Sequence, residues 1–200
     1  MIRADLITVF HNDDYLALSR QLFDSVKEHE PRGGYRLIGV DNRRDNRGFA
    51  AACNLGAFGA DSDAPVIGFL NPDVQVSGPF IDAAANALTH GVVITGCRFA
   101  KPDNELAAWG VRDWVCGATF FVDRKWFMNV GGFDTQFVWS FEETDLIRRA
   151  EAQGLTCRSI NLPLDHSAPT TNTPEDHRYK TMHFAQAAQR YQTKWARRRH

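Results

Sequence analysis

The sequence predicts an α/β fold with a mostly parallel sheet flanked by helices. Short apolar runs alternate with longer stretches in which apolar residues recur at helical spacing. Strand, helix and strand in this order form right-handed units, which bring the ends of parallel strands to one edge of the sheet. Several of the apolar runs end in acidic or amide side chains. We therefore expect a polar site along that edge.

The first unit consists of a strand at 6–10, a helix and a strand at 36–40. The helix follows the polar cluster His11–Asp14, in which Asp13 or Asp14 is a candidate cap. It ends before Pro31. Asp41 and Asn42 come directly after the second strand, so both are predicted at the polar edge.

The central strand is predicted at 66–70, between two prolines. Pro72 cannot donate a backbone hydrogen bond, so the strand should end before it and leave Asp73 at its carboxyl end. A carboxylate there is well placed to hold a metal ion against a phosphate. Asn71, Pro72 and Asp73 are also good turn residues, so a plain turn is the alternative interpretation.

The remaining elements continue the alternation of strands and helices. Gly48 precedes an alanine-rich helix and would let a ligand approach its positive N-terminal end; a helix of small residues packed flat on the sheet is compatible with this. The further helices are predicted at about 46–56, 79–90, 124–130, 142–153 and 174–199, and the further strands at 92–95, 115–122 and 156–161.

Three carboxylates, on Glu142, Glu143 and Asp145, crowd the start of one predicted helix. A helix N-terminus favours acidic side chains, so complementation of the helix dipole is the simple interpretation. The preceding residues 137–141 are rich in aromatic side chains, however. Acids among bulky apolar groups can have a raised pKa and serve as a general base.

Tryptophans and a histidine provide the remaining candidates. Trp109 and Trp114 are either core residues or a lining for a sugar acceptor, since flat aromatic faces suit sugar rings. Gly117 opens a predicted strand with small residues, which suits close approach of a ligand. A lone histidine such as His166 is more often structural than a ligand, and its role depends on its partners.

The bulk composition excludes several classes of protein. The formal net charge of −1 gives no global attraction to nucleic acid or membrane. No apolar run approaches the ~20 residues needed to span a bilayer, and the chain moves directly into a strand, so we expect no signal peptide. The four cysteines lack a metal or disulfide spacing and are expected to be reduced core residues in a cytoplasmic protein. The G-x-G-x-x-G and Walker fingerprints are absent.

Taken in order, these motifs resemble the GT-A-fold glycosyltransferases of family 2, most closely the rhamnosyltransferase-like and galactofuranosyltransferase-like branch. The resemblance covers about residues 6–167. It is carried by Val40–Asn42, Asn46 with Gly48 and Phe49, Asn54 with Gly56, Leu70–Val74, Gly117–Ala118, Val130–Asp134, Glu142–Leu146 with Arg149 and Gly154, and His166. The co-linear set is far more specific than any one motif.

The resemblance implies a GT-A fold, that is, a Rossmann-like nucleotide-diphospho-sugar transferase domain at 1–170, with a C-terminal helical tail at 171–200 packed on the same domain. It implies an inverting, metal-dependent transfer of a sugar from a nucleotide-diphosphate sugar to an acceptor hydroxyl, with Mn²⁺ or Mg²⁺ as the ion. The acceptor class stays open between glycan, lipid-linked, protein and modified nucleic acid. The chain is short for the family, so a partner or a homodimer is a candidate to complete the acceptor side.

The same resemblance assigns roles to individual residues. Glu143 would be the catalytic base with Glu142 beside it, and Asp73 and His166 would be metal ligands. Donor binding would fall to Phe10, His11, Asn12, Asp41, Asn42, Asn46, Gly48, Phe49, Asn54, Asn71, Pro72 and Asp73. Apart from the resemblance, acceptor binding is predicted for Trp109, Trp114, Gly117 and Trp139.

Three departures from the family pattern affect these assignments. Asn71 lacks the charge of the first aspartate in the family's D-x-D triplet, and Glu143 adds a methylene to the usual aspartate. The loop between Asp41 and Asn46 is short.

Two other function classes stay open. A sugar nucleotidyltransferase would need a glycine-rich loop with arginine and lysine after the first strand, where this chain has the acidic His11–Asp14. A catalytically inactive nucleotide-sugar or glycan-binding module is compatible with Asn71 and with the short chain.

Overall fold

A computed structural model describes residues 3–99, 108–166 and 174–196. The strands are β1 (Ala4–Phe10), β2 (Tyr35–Asp41), β3 (Val66–Leu70), β4 (Gln75–Val76), β5 (Val92–Gly96), β6 (Thr119–Asp123), β7 (Thr156–Ser159) and β8 (Leu164–Asp165). The helices are α1 (Asp13–His29), α2 (Phe49–Gly59), α3 (Ile81–Ala87), α4 (Arg124–Asn129), α5 (Glu142–Glu151) and α6 (Pro174–Ala196).

The central sheet has six strands in the order β2-β1-β3-β6-β5-β7. β1 is parallel to β2 and β3, and β5 is parallel to β7, whereas β6 is antiparallel to both of its neighbours. The prediction of an α/β fold with a mostly parallel sheet and a C-terminal helix is confirmed. The predicted alternation did not indicate the reversed direction of β6, because the apolar pattern of a strand is the same in both directions.

The core lies on both faces of this sheet. Phe120 and Phe121 are neighbours on β6, and since successive side chains point to opposite faces they belong to two separate clusters. The cluster around Phe120 includes apolar residues of α2, α4 and α5, and the cluster around Phe121 includes those of α1 and α3. Helices α1 to α5 therefore form one layer on each side of the sheet, whereas α6 packs on a third cluster with Phe137 and Phe141.

A second, two-stranded sheet pairs β4 with β8 in antiparallel fashion, with Gln75 opposite Asp165 and Val76 opposite Leu164. Neither strand was predicted, because two residues are too short to show a periodicity. This small sheet has a direct effect on the site, since it fixes the chain immediately after Asp73 and immediately before His166.

The ends of several elements differ from the prediction. The N-cap of α1 is Asn12, whose Oδ1 accepts a hydrogen bond from Tyr15 N at 2.8 Å, and not Asp13 or Asp14. β6 begins at Thr119 and not near 115, because Thr119 N donates to Cys116 O and closes a turn there. α3 is shorter than predicted and covers only Ile81–Ala87.

Other predictions concern the cysteines and the chain termini. Cys53, Cys97 and Cys157 are buried and Cys116 is half-buried. Among the helices of the described residues, none has the length and apolar character to cross a membrane. The cytoplasmic location stays a prediction. The terminal arginines at 197–199 lie outside the described residues.

Candidate functional site

A pocket of about 450 Å³ opens where β1, β2 and β3 end. This is the carboxyl edge of the parallel strands, where ligands bind in open α/β sheets. The residues just before the antiparallel β6 also line the pocket at this edge. They lie beside the end of β3, where Asn71 N donates to Ala118 O at 2.9 Å. The lining residues are Val9, His11, Tyr15, Asn42, Asn46, Gly48, Phe49, Asn71, Pro72, Asp73, Cys116, Gly117, Ala118, Val138, Trp139, Ser140, Glu142, Glu143 and His166.

Asp73 and His166 form a pair at one side of this pocket. His166 Nε2 lies 3.2 Å from Asp73 Oδ1. The Asp73 side chain is only 4% exposed and that of His166 is 28% exposed. β4 begins two residues after Asp73 and β8 ends one residue before His166, so the small sheet brings the two side chains together.

The chemistry of this pair fits a divalent cation that takes its other ligands from a bound molecule. A buried carboxylate and an imidazole are both ligands for Mn²⁺. Within the described residues, no group of three His, Cys, Asp or Glu side chains could hold a metal ion. The pair therefore supplies two ligands, and phosphate oxygens and water would have to supply the rest, as is common for Mg²⁺ bound with a substrate phosphate.

Two adjacent carboxyl groups, on Glu142 and Glu143, face the pocket from the first turn of α5. Burial raises the pKa of the Glu142 carboxyl well above its ordinary value of 4.5, and the neighbouring Glu143 raises it further. Glu142 Oε2 is buried and has no hydrogen-bond partner among the described residues. Glu143 is the more exposed of the two. The inner carboxyl therefore keeps its proton to a higher pH than an exposed glutamate does.

Gly117 lies opposite this acidic pair. A Cβ added at Gly117 would stand 3.8 Å from Glu142 Oε1 and 3.8 Å from the Glu143 side chain. This is ordinary van der Waals contact, so the absent side chain leaves room in front of both carboxyl groups.

The wall that leads into the acidic pair has an unusual backbone. Ser140 and Phe141 have φ values of 66° and 69°, although neither is glycine. Such conformations persist where the surroundings enforce them, and they are concentrated at functional sites. Trp139 and Ser140 line the pocket, whereas Phe141 points away from it into a cluster of aromatic residues.

The opposite wall comes from the N-terminal third of the chain. Asn42 is buried and organises the loop that follows β2: its Oδ1 accepts from Arg47 N at 3.1 Å and its Nδ2 donates to Asn46 Oδ1 at 3.4 Å. The rings of His11 and Tyr15 lie 4.4 Å apart, centroid to centroid, at the end of β1. Gly48 then begins α2 at the pocket.

Three predicted donor-binding residues at or just after the ends of the first two strands lie outside the pocket lining. Phe10 is buried, with the Arg43 guanidinium 5.6 Å above its ring. The side chain of Asn12 caps α1. Asp41 accepts hydrogen bonds from the Arg43 guanidinium at 3.0 and 2.6 Å, and these bonds lower its pKa to about 2. The sequence analysis did not identify Arg43 as the ion-pair partner of Asp41.

Three further predicted residues also lie outside it. Asn54 Nδ2 donates to Phe133 O at 2.8 Å and Asn54 Oδ1 accepts from Phe133 N at 2.9 Å, so its amide holds a backbone segment. Trp114 is buried and donates from Nε1 to Thr144 Oγ1 at 3.2 Å. The ring of Trp109 packs on Trp114 and on Phe141. The structure thus places Trp109 and Trp114 with the core, the other interpretation that the sequence left open.

The pocket brings together the other predicted site residues: His11, Asn42, Asn46, Gly48, Phe49, Asn71, Pro72, Asp73, Gly117, Trp139, Glu142, Glu143 and His166. Sequence reasoning missed Val9, Tyr15, Cys116, Ala118, Val138 and Ser140. Five of these are direct sequence neighbours of predicted residues or of the predicted strand end. Tyr15 could have been found from its place in the first turn of α1, close to the polar edge.

No protein-family model and no curated protein sequence matches the chain. Several solved structures match the chain in fold. Mannosyl-3-phosphoglycerate synthase from Rubrobacter xylanophilus matches with a TM-score of 0.65 and 11% sequence identity, over 98% of this chain and 75% of that chain. The catalytic domain of Drosophila β1,4-galactosyltransferase 7, in complex with xylobiose, matches with a TM-score of 0.60 and 16% identity, over 87% of this chain and 74% of that one.

A mutant of the same Drosophila enzyme, in complex with manganese, UDP-Gal and xylobiose, matches with a TM-score of 0.58 and 16% identity, over 84% of this chain and 72% of that one. At these identities the likeness establishes the fold: the chain has the GT-A fold of glycosyltransferases. The narrower resemblance to family 2 and its branch stays a prediction.

Proposed function

We propose that this chain is an inverting, metal-dependent glycosyltransferase that moves a sugar from a nucleotide-diphosphate sugar to an acceptor hydroxyl. One observation carries the proposal: the Asp73–His166 pair and the Glu142–Glu143 pair line the same pocket. The first suits a cation with a diphosphate, and the second suits proton transfer. The GT-A fold, which the chain shares with galactosyl- and mannosyl-transferring enzymes, supports this interpretation.

The donor would occupy the wall formed by the N-terminal third of the chain. Its diphosphate would lie beside Asp73 and His166, which would hold Mn²⁺ or Mg²⁺. Such an ion would neutralise the negative charge that develops on the departing diphosphate. The N-terminal end of α2 at Gly48 adds partial positive charge on this side. The nucleoside would lie toward His11, Tyr15 and Asn42.

Glu143 is the proposed general base. Its carboxylate takes the proton from the acceptor hydroxyl while the acceptor oxygen bonds to the anomeric carbon of the sugar. The bond from that carbon to the phosphate oxygen breaks, and the nucleoside diphosphate leaves with the electron pair. One displacement with the nucleophile and the leaving group on opposite faces inverts the configuration of the sugar carbon, as in inverting glycoside hydrolysis.

Glu142 would act as the neutral member of the acidic pair. Burial and the neighbouring Glu143 raise its pKa, which favours the protonated form, so the proposal assigns the negative charge of the pair to Glu143. A protonated carboxyl can donate a hydrogen bond. Glu142 Oε1 lies 3.8 Å from the position of a Cβ added at Gly117, and the acceptor hydroxyl would have to approach Glu143 through this region.

The acceptor would enter between Trp139 and Gly117. A half-buried indole ring suits the apolar face of a sugar, so a saccharide, free or linked to a carrier, is the acceptor class that this wall favours. The Drosophila enzyme of the same fold is in complex with xylobiose, a saccharide, which is consistent with this acceptor class.

The proposal is tested in two stages. Nucleotide sugars are screened for an increase in melting temperature with and without Mn²⁺, since a ligand that binds only the folded state stabilises it in proportion to its affinity. The donor found is then incubated with saccharide acceptors, and the anomeric configuration of the product is determined by NMR. Retention of configuration would refute the single displacement. Donor binding without transfer to any acceptor would favour the inactive binding module.

A further inference from the structure

The C-terminal helix α6 contacts the back of the wall that carries the proposed base. Asp145 lies two residues after Glu143 on α5, about 200° around the helix axis, so the two side chains point in nearly opposite directions. Asp145 is fully buried. Its carboxylate accepts hydrogen bonds from Lys194 Nζ at 2.8 Å and from Trp195 Nε1 at 2.9 Å, both on α6.

These hydrogen bonds stabilise the negative charge of the buried Asp145 carboxylate, which would be unfavourable without partners. Arg149 Nε lies 3.0 Å from Asp145, so the carboxylate has partners on its own helix as well as on α6. A buried carboxylate needs several donors, and the loss of one changes the geometry of the rest. Lys194 also donates to Asp134 Oδ2 at 2.8 Å, which ties α6 to the loop that leads into the wall.

The strained part of the wall is held by the same helix. The ring of Phe141 lies 5.1 Å from the ring of Tyr191 and 5.4 Å from that of Phe184, measured between centroids. Tyr191 is buried and its hydroxyl donates to Trp109 O at 2.6 Å. The left-handed residue Phe141 is therefore packed against α6 immediately before Glu142 and Glu143.

No described residue of α6 lines the pocket itself. Its contacts with the described residues include Asp145 and Arg148 of α5, Phe141, the Trp109 carbonyl and the loop at 134–137. These contacts lie in or beside the wall formed by residues 138–143, which carries the acidic pair.

We propose that Lys194 and Trp195 are positioning residues of the transfer reaction: by binding Asp145 from behind, they set the orientation of the first turn of α5 and hence the direction of the Glu143 carboxylate. The inference rests on the proposed function. Its mechanism is geometric, because a base displaced by about 1 Å can lower the rate of a reaction by roughly 10²-fold. Donor binding does not depend on this orientation.

The test compares Lys194→Met and Trp195→Phe with wild type. Trp195→Phe keeps an aromatic ring near Arg148 and removes the N–H donor to Asp145 together with part of the indole ring. We expect each variant to lower kcat by roughly 10- to 100-fold while KM for the donor stays within about twofold. Lys194→Arg restores a cation and should recover part of kcat. Lys27→Met removes an exposed lysine of α1 and is the matched control, expected to leave kcat unchanged.

A second measurement does not depend on any activity. Hydrogen exchange of the peptide that covers residues 137–143 should become faster in Lys194→Met and in Trp195→Phe, with unchanged exchange in β1–β3. If Lys194→Met does not fold, Trp195→Phe alone decides the result. Equal changes in kcat and donor KM, or unchanged exchange at 137–143 in a folded variant, would overturn the proposal. Failure of the wild type to bind any nucleotide sugar would instead refute the proposed function, and the exchange result would still report on α6.

Discussion

Gly48 and Val138 join the two walls of the pocket by direct backbone contact. A Cβ at Gly48 would lie 3.0 Å from Val138 O, and Phe49 N donates to the same carbonyl at 3.3 Å. Gly48 has a φ of 85°, in the left-handed region. The sequence predicted that Gly48 makes room for a ligand. The structure shows that a glycine is needed there because the backbone at Val138 lies so close.

Gly48→Ala should destabilise the protein. The new methyl group meets a backbone carbonyl and the residue must keep a positive φ, so we expect a loss of about 1–3 kcal/mol in the free energy of unfolding. Gly59→Ala, at the end of the same helix, is the matched control, because nothing lies within 4 Å of its added Cβ. The control should be neutral or slightly stabilising. Urea unfolding of both variants measures the difference, and equal midpoints would contradict the explanation.

Asp73→Asn should abolish the Mn²⁺-dependent part of any stabilisation by a nucleotide sugar. The amide preserves the size of the side chain but removes the charge that attracts the cation. His166→Ala should reduce the same increment, because it removes the second ligand. Thermal unfolding with donor, in the presence and absence of Mn²⁺, provides the measurement. Asp63→Asn changes an exposed carboxylate and serves as control. An undiminished Mn²⁺ effect in Asp73→Asn would place the cation elsewhere.

Glu143→Gln should lower kcat by roughly 10²- to 10⁴-fold, the usual contribution of a general base, while donor binding is preserved. Glu142→Gln should have a smaller effect, since an amide can replace the donor function of a protonated carboxyl. Initial rates at saturating donor distinguish the two. The assignment of the base would be reversed if the Glu142 variant were the more impaired.

The stability of the protein should respond to the buried Glu142. Its pKa is raised in the folded state above the ordinary 4.5, so between that value and the folded-state pKa the folded protein binds more protons than the unfolded chain. The free energy of unfolding therefore falls as pH rises through this window. Glu142→Gln cannot titrate and should lose this dependence.

Melting temperatures of wild type and Glu142→Gln, measured from about pH 4 to pH 8, test this directly. The variant should gain stability relative to wild type as pH increases. Glu28→Gln, an exposed position on α1, is the control and should differ from wild type by a constant amount. A constant difference for Glu142→Gln as well would show that its carboxyl is not perturbed by folding.

Strand order explains why much of the site could be predicted from the sequence. Asn42, Asp73 and the residues around them follow parallel strands, and parallel strands end at one edge. The acidic pair was visible as a dense local motif beside aromatic residues. Only the geometry, however, places Glu142 deeper than Glu143, because the sequence alone does not indicate which of two adjacent acids is buried.

Asn54 and Asp41 illustrate what local sequence cannot supply. The amide of Asn54 is satisfied by the backbone of Phe133, 79 positions away, and only the folded chain identifies that partner. Asp41 is paired with Arg43, two positions away, but a charged neighbour in the sequence does not establish an ion pair. Tertiary contacts therefore decide which polar residues at a strand end face the pocket and which bind other parts of the chain.

The pairing of β4 with β8 has a consequence for motion. Asp73 and His166 are joined through a ladder of only two residues per strand, outside the six-stranded sheet, and so short an element opens at low cost while the rest of the molecule stays folded. Any molecule bound by both side chains would cross-link two chain positions that are 93 residues apart. Slower amide exchange at Gln75 and Leu164 in the presence of bound donor would show that the ligand stabilises this small sheet.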